Sequence, residues 1–206
     1  MFRILLAVTF VFLARPAVAD TMTILALGDS LTAGLGLDPG DAFPVKLEAA
    51  LKAKGHDVRI INAGVSGDTS AAGRDRLEWA LNDGVDAVII ELGANDALRG
   101  VSPAETRQAL DGILEVLQER GIPAMVAGML APRNLGPDYI AAFDPLFGEL
   151  AAKYDAVFYK FFLDGVAADP HLNQADGIHP NARGVDVIVS RILPSVEQLI
   201  VKAGRE

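Results

Sequence analysis

The sequence predicts an α/β protein, a three-layer α/β/α sandwich built on a five-stranded parallel sheet. Three observations predict it. Short apolar runs recur five times, at residues 24–27, 58–63, 85–92, 122–129 and 156–159, and such runs read as buried strands. The segments between them carry apolar residues three or four apart, the period of a helix with one buried face. Finally, the first three runs each end in a small, polar loop. Strands alternating with helices give a parallel sheet covered on both faces, with right-handed crossovers. The coarse pattern is flavodoxin-like, with strand order 2-1-3-4-5.

Residues 1–19 stand apart from that pattern. Met1-Phe2-Arg3 is a short basic start, residues 4–13 are apolar, and Ala17-Val18-Ala19 is a small-x-small cleavage site. This reads as a secretory signal peptide cut after Ala19, giving a periplasmic or secreted mature chain of residues 20–206. The alternative is an uncut membrane anchor. The apolar run is shorter than the about 20 residues that span a bilayer, although Arg15 is atypical of a cleavage region. No second membrane segment follows. A chain of 206 residues, 51% hydrophobic and 22% charged, suits one domain with a full core.

Losing Arg3 and Arg15 takes the basic residues from 18 to 16 against 27 acids, a net charge of −11. A surface that acidic repels nucleic acid and anionic lipid. The absence of cysteine excludes disulfides, thiolate metal sites and a cysteine nucleophile. Nothing in the sequence requires an oligomer.

The elements follow in order. The strand at 24–27 stops at Gly28. A helix over 41–55 carries Phe43, Val45, Leu47, Ala50 and Leu51 mainly on one face. After the strand at 58–63 and the loop at 64–70, a helix to about Asn82 turns Leu77, Ala80 and Leu81 inward, with Trp79 beside them. The third strand ends in Gly93-Ala94-Asn95-Asp96. Ser102-Pro103-Ala104-Glu105 is a helix start, with serine at the N-cap, proline at N1 and glutamate at N3. Met125 and Met129 on the fourth strand read as core. Residues 137–154 read as one helix. Residues 160–180 show little periodicity, and Asn181 opens the last helix, with Val185, Ile188, Val189, Ile192 and Leu193 on its apolar face.

Parallel strands bring their trailing loops to one edge of the sheet, where ligands bind in open α/β folds. That edge collects Ser30, Gly67 and Asn95. From its own segment Ser30 is a nucleophile, an N-cap or a turn residue. With a glycine amide and a carboxamide beside it, it has the parts of an acyl-transfer site. The hydroxyl needs a base. His56 belongs to the opposite edge, and His171 reads as a solvent-facing loop residue. His179 lies three residues after Asp176 in a tight loop, which lets the carboxylate reach Nδ1 and leaves Nε2 for serine. One histidine and one aspartate are too few for a metal.

Gly28-Asp29-Ser30-Leu31, Gly67, Gly93-Ala94-Asn95-Asp96 and Asp176-Gly177-Ile178-His179-Pro180, in that order across nearly the whole mature chain, resemble the four blocks of the GDSL, or SGNH, hydrolases. The strings Ser66-Gly67-Asp68-Thr69-Ser70 and Glu91-Leu92-Gly93-Ala94-Asn95-Asp96-Ala97-Leu98-Arg99-Gly100 are similar to the bacterial thioesterase I, arylesterase and lysophospholipase branch. The resemblance implies the SGNH-hydrolase fold. It implies Ser30 as nucleophile, His179 as general base and then acid, and Asp176 orienting it. The Ser30 and Gly67 amides and the Asn95 side chain would form the oxyanion hole. It also implies substrate contact from Leu98, Arg99, Gly100 and Val101, and Arg133 adds positive charge beside the cleft. The α/β-hydrolase elbow, Gly-x-Ser-x-Gly, is not met, because position 32 is threonine.

The expected activity is hydrolysis of a small-molecule ester or thioester, lysophospholipids included, through an acyl-serine, with no cofactor and no metal. A carbohydrate O-acetylesterase would use the same triad. A flavodoxin-like binding module without catalysis is the alternative of another class. Asp29 and Asp96 read as carboxylates that brace their loops. Asp68 does the same or caps the helix after it. The aromatic run 158–162 lines an acyl channel or forms core.

Overall fold

The computed structural model describes residues 21–81 and 84–204; the proposed leader lies outside them. Along the chain, β1 (Met22–Gly28) leads to α1 (Ser30–Ala33) and α2 (Phe43–Ala53), and β2 (Val58–Gly64) to α3 (Ser70–Asp75) and α4 (Leu77–Ala80). Next, β3 (Ala87–Glu91) leads to α5 (Ala94–Leu98) and α6 (Pro103–Glu119), β4 (Ala124–Ala127) to α7 (Pro137–Phe143) and α8 (Leu146–Lys153), and β5 (Val157–Tyr159) to α9 (Ala182–Lys202).

The five strands are parallel and ordered β2-β1-β3-β4-β5, as the alternation predicts. Every residue of β1 and β3 is buried, as befits central strands covered on both faces. The edge strand β2 buries Val58 and Ile60 but exposes Arg59. Helices α2 and α9 pack together in one layer, and α3, α6 and α8 in the other. The Ser102 hydroxyl accepts from the Ala104 amide at the start of α6, which buries Leu110, Ile113, Leu114 and Leu117. Met125 and Met129 are buried. The aperiodic segment before α9 joins the core through Phe162, whose ring meets Phe43 edge-on at 5.0 Å.

Four expectations need correction. The helix from Ser70 breaks into α3 and α4 because Arg76 turns inward. Its Nε donates to Asp68 Oδ2 (2.6 Å) and its Nη2 to the Gly28 carbonyl (2.9 Å). The remaining single turn of α4 buries Leu77 and Ala80 but leaves Trp79 77% exposed. On α2, Val45 is 47% exposed, two residues, or about 200°, before the buried Leu47. The helix expected over 137–154 breaks at Asp144-Pro145. Pro145 has no N–H for a continuous helix, and the Asp144 carboxylate accepts from Ala131 N and Arg133 Nη2. At the start of α3 the Thr69 hydroxyl caps, while Asp68 pairs with Arg76.

The strand order reverses direction at β1, with β2 on one side and β3 on the other. The crevice beyond the carboxyl ends of β1 and β3 is therefore the topological switch point of the sheet.

Candidate active site

Backbone chemistry puts Ser30 at that crevice. β1 ends on Gly28, where a Cβ would stand 2.1 Å from Thr32 Oγ1 and 2.7 Å from Glu91 Oε2. Only glycine lets the chain turn there. Asp29 caps the one-turn helix α1 by accepting the Leu31 amide at 2.9 Å. Ser30 is the first residue of that turn.

The partner of Ser30 comes from 149 positions away. Gly177, at φ +70, makes the tight turn before α9. Around it Asp176 Oδ1 accepts the amides of Ile178 and His179, at 2.9 and 3.0 Å. Its Oδ2 stands 2.6 Å from His179 Nδ1, and His179 Nε2 stands 2.9 Å from Ser30 Oγ. The Gln174 side chain donates to the Leu35 and Pro180 carbonyls and ties this loop to α1. The Ile178 amide, the His179 ring and the His179 amide hold the Asp176 carboxyl down to about 2. An ionised Asp176 only accepts, so Nδ1 carries the hydrogen and Nε2 offers its lone pair to the hydroxyl.

A pH dependence follows. A lowered folded-state pKa keeps Asp176 charged above the ordinary carboxylate value of 3.8, and its contribution is lost only as pH falls through about 2. Asp176 therefore does not titrate between pH 4 and 7. It adds no step to the acid limb of log(kcat/KM) over that range, and Asp176→Asn leaves the slope of that limb unchanged whatever the loss in rate. An acid limb whose slope falls by one in Asp176→Asn would show that Asp176 titrates there.

Gly93, at φ +115, sets the turn into α5. From its first turn Asn95 Nδ2 donates to Asp29 Oδ2 at 2.9 Å. That uses one amide hydrogen and leaves the second for the cleft. Burial pushes the Asp29 carboxyl up, against the Leu31 and Asn95 hydrogen bonds that lower it. Asp29 thus braces Asn95 as well as its own turn. Asp96 accepts the Ser70 amide and the hydroxyls of Ser70 and Thr106, joining α5 to α3 and α6.

Ser30, Asn95 and His179 line one cavity of about 550 Å³. Its walls are apolar: Leu31, Leu98, Met129, Leu130, Phe161, Leu163 and Ile178, with Arg133 among the lining residues. A hydroxyl backed by imidazole and carboxylate, with an amide donor beside it and an apolar wall behind, is suited to acyl transfer.

A model of the GDSL-like lipase/acylhydrolase family matches residues 26–187. The chain belongs to that family. Among solved structures, the SGNH-hydrolase family esterase AlinE4 shares 53% identity at a TM-score of 0.74, covering 87% of this chain and 96% of its own. Esterase TesA of Pseudomonas aeruginosa is 38% identical over 183 residues, 88% of this chain and 91% of TesA. The Escherichia coli protein named thioesterase 1/protease 1/lysophospholipase L1 is 34% identical over 200 residues, 97% of this chain and 92% of that protein.

In this GDSL-family site the other expected residues fall as follows. Gly67, at φ +91, stands at the same sheet edge but outside the cavity lining, and Arg99 Nη2 donates to its carbonyl at 2.6 Å. Leu98 and Arg133 line the cavity; Arg99, Gly100 and Val101 do not. The Val101 carbonyl accepts the Tyr139 hydroxyl, and Arg133 pairs with Asp144. His56 pairs with Glu197, away from the cleft. The aromatic run divides: Phe161 faces the cavity, Phe162 the core, and Phe158 is exposed. Sequence reasoning missed Leu163, Ala167 and Ala168 as cavity wall, for want of any period in their segment. It also read Glu91 as a plain strand residue, although an acid closing an apolar run is a visible signal.

Proposed function

We propose that this chain is an exported serine esterase that hydrolyses carboxylic esters or thioesters of acyl chains, lysophospholipids among them. The observation that carries the reading is the Ser30–His179–Asp176 relay, at 2.9 and 2.6 Å, opening on an apolar cavity. Ser30 Oγ attacks the carbonyl carbon as its proton passes to His179 Nε2. The oxyanion is held by the Ser30 and Gly67 amides and by Asn95 Nδ2. Collapse expels the alcohol or thiol, which takes the proton from His179. Water then attacks the acyl-serine with His179 as base, and the acid and free Ser30 leave. The names of the relatives, esterase and thioesterase/lysophospholipase, support acyl donors of this kind. The basic, apolar and small-x-small residues of 1–19 support export, and among the described residues no helix is long and apolar enough to cross a membrane.

The cavity wall sets the expected selectivity. An acyl chain entering it gains roughly 0.8 kcal/mol per buried methylene, so kcat/KM rises from acetyl to medium-chain esters. A series of p-nitrophenyl esters and of lysophospholipids of increasing chain length measures this. Activity confined to acetylated glycans, with none on medium chains, would instead identify a carbohydrate O-acetylesterase.

A further inference from the structure

Beneath the nucleophile turn lies a carboxyl group that the proposed mechanism does not use. Glu91 ends β3 directly beside Gly28 in the sheet register and is completely buried. The Thr32 hydroxyl donates to its Oε2 at 2.6 Å, and the Asp29 amide points to the same oxygen at 3.4 Å. Its Oε1 meets no hydrogen-bond partner among the described residues.

The charged groups around it are unevenly placed. The Asp29 carboxyl faces Glu91 from the β1–α1 turn. Asp29 is itself faced by His179 from the loop before α9 and by Asp68 from the β2–α3 loop. The Arg76 guanidinium is occupied by Asp68 and the Gly28 carbonyl. Neither Asp29 nor Glu91 forms an ion pair among the described residues. Two buried carboxylates without a cation cannot both stay ionised. Asp29 accepts hydrogen bonds from Leu31 and Asn95, so the charge belongs on Asp29 and the proton on Glu91. A neutral acid with one unmatched oxygen costs far less than a buried carboxylate with one.

We propose that Glu91 is a positioning residue that works as a neutral carboxylic acid, pinning the turn that carries Ser30 and limiting the charge beneath the oxyanion donors to that of Asp29. Through Oε2 it holds Thr32 and the Asp29 peptide, on either side of Ser30. A second negative charge there would oppose the developing oxyanion. The inference builds on the esterase reading above, but its main test needs no substrate.

That test compares the wild-type chain with Glu91→Gln and Glu91→Leu by thermal unfolding from pH 5 to 9, and a second test compares their kcat and KM on a short-chain ester. The folded protein retains a proton that the unfolded chain releases above about 4.5, because burial raises the Glu91 carboxyl. Wild-type stability therefore falls as pH rises toward the folded-state value. Relative to E91Q, the wild-type folding constant drops about tenfold per pH unit in that window, and the Tm gap widens in favour of glutamine. Glutamine can still accept from Thr32, so E91Q retains most of its kcat. Leucine cannot, and E91L loses about tenfold to a hundredfold in kcat with KM little changed. A Tm gap independent of pH would overturn the proposal, as would E91Q losing as much kcat as E91L. Should E91L fail to fold, the Tm gap of E91Q decides alone. Failure of the esterase reading would show separately, as activity that survives loss of Ser30.

Discussion

Ser30→Ala lowers kcat by about 10⁴-fold or more while leaving the fold in place. The hydroxyl is the hydrogen-bond partner of His179 Nε2, at 2.9 Å. Without it the imidazole has no proton to take and the carbonyl no attacking oxygen. The loss in stability is small, because alanine is a good helix residue and the N-cap bond of α1 belongs to Asp29. Circular dichroism and a Tm close to wild type check the fold, and turnover of a medium-chain ester checks the rate. The double variant with His179→Ala is no slower than S30A alone, because the two groups act as one unit. An S30A variant retaining a tenth of wild-type turnover would remove Ser30 from the mechanism.

Asn95→Ala lowers kcat by about a hundred- to a thousandfold with KM little changed, the loss typical of one oxyanion donor. Stability also falls. Asn95 Nδ2 donates to the buried Asp29 carboxyl at 2.9 Å, and losing a hydrogen bond to a charged group costs about 1.5–3 kcal/mol. The two effects separate by temperature: the kcat loss persists well below the Tm of the variant, where all of it is folded. A variant with wild-type kcat and only a lowered Tm would make Asn95 a brace for Asp29 and nothing more.

What the sequence made legible was local. The strands of a parallel sheet are marked by their own apolar runs, so β1 to β5 and their order could be read. Asp176 and His179 lie three residues apart, so their pairing is a property of one turn. Ser102 and Pro103 announce α6 by themselves. What escaped is set by distant contacts. The break at Arg76 exists because its side chain reaches the Gly28 carbonyl, 48 positions earlier. Trp79 looks like core in a long helix and is surface on a single turn. The cavity wall from Phe161 to Ala168 has no period to find, since its side chains point inward from turns. Glu91 looked like one more strand residue until the sheet placed it against Gly28 and Thr32.

The central claim is that Ser30 is the atom donor of a covalent acyl intermediate. The most direct measurement is mass spectrometry of the folded chain after treatment with a serine-reactive organophosphonate, followed by peptide mapping. One phosphonyl group per chain on Ser30, with complete loss of esterase activity and no adduct on S30A, is the expected result. A chain that stays unlabelled, or that carries the label on another residue while activity is lost, would contradict it.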